Sequence, residues 1–140
     1  MNISFFNEDI DFQLDHSQKI AHWVSSIITT HQRKLSEINY IFCSDNYLLE
    51  VNKEHLNHDY FTDIITFDNS ETGDEIEADV FISIDRVREN AQLQRTSFQN
   101  ELNRVMIHGV LHLLGFGDKS EAEQKVMREK EDACLSLLKN

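Results

Sequence analysis

Two histidines, His108 and His112, stand four residues apart in the segment VMIHGVLHLLG. On a helix that spacing sets them one turn apart on the same face. Each imidazole can then aim one nitrogen at a common point, as a zinc ion accepts at about 2.0–2.1 Å. The pair alone says little, because a chain with seven histidines often holds such a spacing by chance. Two core histidines bonded to carbonyls or carboxylates are the plain alternative. Three neighbouring features favour a metal. The surrounding segment is apolar, where an unmet polar ring costs on the order of 1–3 kcal/mol. Gly115 lets the chain turn out of the helix. After Gly117, Asp118 can swing a carboxylate back to the same point. Two histidines and a carboxylate leave a fourth position open, which is a catalytic rather than a closed zinc arrangement.

Zinc peptidases of the H-E-x-x-H type use the glutamate after the first histidine as general base. Gly109 occupies that position here. A peptidase built this way lacks its proton acceptor, so proteolysis is disfavoured.

Several elements must position these residues. NISFF (2–6) predicts a strand, and residues 17–32 a long helix burying Ile20, Trp23, Val24, Ile27 and Ile28. INYIFC (38–43) predicts a second strand, and Ser44 caps a short helix to about His55. TDIITFD (62–68) and DVFISI (79–84) predict two strands paired antiparallel, with a turn-like ETGDEIEA between them. Asp85 is the expected cap of a helix over 86–95. Thr96 and Gln99 form a candidate capping box for the metal-bearing helix, about 97–114. Ser120 and Glu123 repeat that spacing before a last helix, whose apolar residues are Val126, Met127, Ala133, Leu137 and Leu138. The expectation is an α+β fold: a small mixed sheet of about four strands packed against helices around a buried, zincin-like metal helix. With no proline, four glycines and no repeat, residues 1–140 read as one domain.

The net charge of −12 is unevenly spread. Residues 1–85 carry 4 basic and 17 acidic side chains, and residues 86–140 carry 9 and 8. An RNA would be repelled by much of the first part and approach over the second. Arg86, Arg88, Arg95 and Arg104 are candidate backbone contacts there, or simply a solvated helix face. The acidic balance argues against indiscriminate nucleic-acid binding, and DNA is not expected. No apolar run reaches the roughly 18–20 residues of a membrane span. The acidic start MNISFFNEDIDF does not read as a secretory signal. Cys43 and Cys134 cannot build a disulfide framework, and the reducing cytoplasm is the expected compartment.

HGVLHLLGFGD resembles the signature of the YbeY family of bacterial endoribonucleases, which act in ribosomal RNA maturation and ribosome quality control. TDIITF and EADVFIS resemble that family's paired strands, in the same order, and the last helix matches in placement. The resemblance implies a single-strand-specific, metal-dependent endoribonuclease that matures rRNA 3′ ends, with ribosomal RNA and the small ribosomal subunit as partners. Its metal ligands carry over to His108, His112 and position 118. Where the family commonly has a third histidine, this sequence has Asp118. A carboxylate still binds zinc, and its charge makes other, harder divalent ions more competitive. Where the family often has an arginine thought to contact phosphate, this sequence has Leu56, flanked by His55 and His58. His58 is a candidate substrate contact beside Arg86 and Arg104, or an ordinary loop histidine. Thr62 and Asp63 are candidates to support the site by hydrogen bonds. Two other readings stay open: a non-catalytic ribosome assembly factor stapled by a structural metal, and another metal hydrolase lacking the peptidase base.

Overall fold

A computed structural model describes residues 2–138. Strand β1 (Ile3–Asn7) leads to helix α1 (Ser17–Thr30) and strand β2 (Lys34–Cys43). Helix α2 (Asp45–Leu56), strands β3 (Ile64–Asp68) and β4 (Glu75–Ser83), and helices α3 (Ile84–Gln94), α4 (Phe98–Leu113) and α5 (Glu121–Ser136) follow. The four strands form one mixed sheet in the order β1-β2-β4-β3. β1, β2 and β4 run parallel, and β3 lies antiparallel to β4 at the edge. This is the α+β arrangement expected, including the antiparallel pair.

Two strands, β2 and β4, are longer than the local pattern suggests, whereas β3 is shorter, starting at Ile64 rather than Thr62. β4 begins at Glu75, inside the segment read as a turn, because Ile76 and Ala78 alternate into the core with Val80 and Ile82. β2 likewise starts at Lys34 and pairs with β4 across a bulge between Leu35 and Glu37.

Two helix caps differ from expectation. β4 runs straight into α3, so Ser83 rather than Asp85 is the cap, its hydroxyl accepting from Arg86 N at 3.1 Å. Asp85 instead accepts from the Asp45 amide at 2.9 Å. Ser97, not Thr96, caps α4, accepting from Asn100 N at 3.0 Å. Thr96 is taken up closing α3 with its own amide, and Gln99 bonds Asn103. The capping box of Ser120 and Glu123 at the start of α5 is present. The inward face of α5 is Met127, Glu131 and Cys134, while Val126, Ala133 and Leu137 point outward.

α4 crosses the middle of the core. Leu102, Met106, Ile107, Val110 and Leu111 have no exposed surface. At its end Gly115 adopts φ +106°, Gly115 N bonds His112 O at 3.0 Å, and Phe116 N bonds Leu111 O at 3.0 Å. This double closure is the Schellman ending that glycine permits. Tyr40, fully buried, donates to Met106 O at 3.2 Å and ties β2 to α4. Trp23 donates to Cys134 O at 2.8 Å and ties α1 to α5. Among the described residues no helix is long and apolar enough to cross a membrane.

Candidate metal centre

One stripe of α4 is not sealed by the core. There His108 and His112 reach a cavity of about 740 Å³, shared with edge strand β3, the α2–β3 connection and the loop after α4. Their rings stand nearly perpendicular, with centroids 4.6 Å apart. The Schellman turn sends the chain back, and Asp118 arrives over the same opening. Glu123 fixes that return: its carboxylate accepts from Lys119 N and Ser120 N, each at 3.1 Å.

Three atoms then converge. His108 Nε2 and His112 Nε2 are 3.0 Å apart, and Asp118 Oδ2 lies 3.3 and 3.2 Å from them. A tetrahedral ion with bonds of about 2.0–2.1 Å needs donor separations of roughly 3.3 Å. The donor set and its spacing can hold a metal ion.

Behind His108 stands Glu131, a residue that no motif in the sequence singles out. Its Oε2 accepts from His108 Nδ1 at 2.7 Å. Because a carboxylate only accepts, the ring proton sits on Nδ1 and leaves Nε2 with its lone pair toward the cavity. Arg104 holds the other oxygen of Glu131 at 2.9 Å and Asp132 at 2.7 Å. Burial opposes charge on both His108 and Glu131. Their mutual hydrogen bond and charges outweigh it, raising the histidine pKa and, with Arg104, lowering the carboxyl. The available signal was an acid at helical spacing between Met127 and Cys134.

The other sequence candidates are placed differently. Asp63 lines the cavity, and burial pushes its carboxyl upward against the pull of His108. Thr62 also lines it, with its hydroxyl toward Ile64 O at 3.4 Å. His58 is in the cavity wall, and so is Leu56. Arg86 and Arg104 are not. Arg86 is held by Asp45 at 2.7 Å and Glu89 at 3.4 Å, and Arg104 serves Glu131. Lys119, which neither type nor spacing marks in the sequence, is the only lysine or arginine among the described residues lining the cavity. An ideal Cβ on Gly109 would come 3.0 Å from Ile64 Cδ1 and 3.1 Å from Thr66 Oγ1. A side chain at the peptidase position would therefore press on the side chains of Ile64 and Thr66, which would have to give by a few tenths of an ångström.

Residues 2–139 match the family described as Endoribonuclease YbeY. The chain belongs to the YbeY endoribonuclease family. The Endoribonuclease YbeY of Cytophaga hutchinsonii is 54% identical, over 98% of this chain and 96% of the relative. That of Flavobacterium psychrophilum is 54% identical over 94% of each, and that of Parabacteroides distasonis 44% over 99% and 96%. The solution structure of TM1509 from Thermotoga maritima has the same fold. Its TM-score is 0.68 at 24% identity, covering 97% of this chain and 88% of that one. The chain is thus in a family of RNA-cleaving hydrolases, and the donor triangle lies in the cavity of a YbeY fold.

Proposed function

We propose that this YbeY-family enzyme hydrolyses phosphodiester bonds of ribosomal RNA, in 3′-end maturation and ribosome quality control, using a divalent ion held by His108, His112 and Asp118. Zinc is the ion we assign, since two imidazoles and one carboxylate suit it. The observation that carries this reading is the triangle of donor atoms with sides of 3.0–3.3 Å on the wall of an open cavity. A bound ion would supply Lewis-acid polarisation of a phosphate oxygen and acidify a water molecule.

The remaining work falls to side chains. Glu131 holds the ring proton of neutral His108 on Nδ1, so that Nε2 is the nitrogen offered to an ion, and Arg104 keeps Glu131 in place. Asp63, with a carboxyl raised by burial and facing the cavity, is suited to exchange a proton near the reacting bond. Lys119 and His58, both in the cavity wall, supply N–H donors for phosphate oxygens. Arg86 and Arg104 are assigned instead to the ion pairs that brace α2–α3 and α4–α5. On this reading residues 1–140 act as one domain in the cytoplasm, with the small ribosomal subunit as partner.

The test combines metal analysis with cleavage. Purified protein should hold about one ion per chain and cut ribosomal RNA, while a folded His112→Ala variant should lose both. Equal cleavage by the two proteins would mean a contaminating nuclease and would leave the non-catalytic assembly factor as the better account.

A further inference from the structure

Seven large hydrophobic side chains are exposed among the described residues, and three of them, Leu56, Tyr60 and Phe61, gather around the α2–β3 connection. Two of the three, Leu56 and Tyr60, line the cavity that holds the donor triangle. This connection is held in shape. Asn52, 1% exposed, donates to Tyr60 O at 2.9 Å, and its own carbonyl accepts from His58 N at 3.1 Å. Asn57 makes the turn in the left-handed region at φ 57°. At the far end the Arg86 guanidinium lies 5.3 Å from the centroid of the Phe61 ring.

Within this frame the rings of His58 and Tyr60 stack at 5.1 Å with 23° between their planes. They also share a hydrogen bond of 2.9 Å between the phenol oxygen and His58 Nδ1. Both rings line the cavity that holds the donor triangle. A rigid aromatic surface beside the point where a phosphodiester is cut has one natural complement in RNA, the face of an unstacked base.

We propose that the stacked His58–Tyr60 pair is a nucleobase subsite, on which one base next to the cut phosphodiester stacks. This rests on the RNA-cleaving reading above. Tyr60 presents the π-face, and His58 orients it through the shared hydrogen bond. Leu56 continues the apolar wall.

Equilibrium binding of fluorescent single-stranded decamers to metal-loaded full-length protein tests the subsite, read by anisotropy while gels show the RNA intact. Tyr60→Ala should weaken binding on the order of 5- to 100-fold, the worth of one stacked base. Tyr60→Phe should restore most of it, with metal content equal in all three proteins. An abasic residue moved along the decamer should cost affinity at one position in the wild type and nothing further at that position in Tyr60→Ala. If the wild type binds tightly and Tyr60→Ala binds equally well, or if no position shows this coupling, the subsite is wrong while the RNA reading stands. If the wild type neither binds nor cuts any oligomer, the RNA reading falls and takes the subsite with it.

Discussion

His108 is gripped at both ring nitrogens. Nδ1 gives its proton to Glu131 at 2.7 Å, and Nε2 faces His112 and Asp118. That hydrogen bond decides which nitrogen is free to coordinate, and partners of this kind are worth about 10–100-fold in metal affinity. Glu131→Gln should therefore lower zinc affinity by about that factor, measured by competition with a chromophoric chelator. An unchanged affinity would remove Glu131 from the site. Glu101, two turns before His108, presents a different problem. Its Oε1 is buried with no hydrogen-bond partner, and burial pushes its carboxyl upward against the pull of Arg104. A neutral acid at that position is cheaper than a buried, unpaired carboxylate. At this scale spacing and glycine punctuation pointed to His108, His112 and Asp118, whose donor atoms converge in the fold. The sequence hid the role of Arg104, because a cation on a helix looks the same whether it meets RNA or a carboxylate of another helix.

α5 is the element that brings Glu131 to the histidine-bearing helix α4, and its start is fixed locally. Ser120 accepts from Glu123 N at 3.1 Å, while Glu123 accepts from Ser120 N and Lys119 N. Losing the capping hydroxyl costs about 0.5–2 kcal/mol. Ser120→Ala should lower stability in urea by roughly 1 kcal/mol. It should reduce metal affinity far less than Glu131→Gln does, since the Glu123 carboxylate still ties the loop that returns Asp118. A drop in affinity as large as that of Glu131→Gln would mean the cap, not the packed face of α5, sets the site. The capping box was legible because it is a four-residue pattern. The inward face of α5 was not, because its apolar residues are spread around the helix. Only packing against α4 selects Met127, Glu131 and Cys134 over Val126, Ala133 and Leu137.

Across the whole molecule the donor triangle joins α4 to the loop that launches α5, so an ion there crosslinks segments the core alone must otherwise hold. Free ion at about 100 times its dissociation constant adds about 2.7 kcal/mol to stability. Chelation should lower the melting temperature on the order of 10 °C, and re-addition of zinc should restore it. The His112→Ala protein should melt at the same temperature with and without chelator. A wild-type protein indifferent to chelation would carry no ion at this site.

The sequence by itself determined whatever depends on neighbours along the chain. Helix periodicity, the Schellman glycine, the Ser120–Glu123 box and the one-turn histidine pair are all satisfied within a few residues. The antiparallel β3–β4 pair and the missing peptidase glutamate were also readable in this way. Tertiary structure decided what depends on which faces meet. It extended β2 and β4 through parallel pairing, turned Arg86 and Arg104 inward to carboxylates, and set Glu131 behind His108. Charged side chains far apart in the chain pair where burial makes an unpaired charge costlier than the ordering needed to pair it.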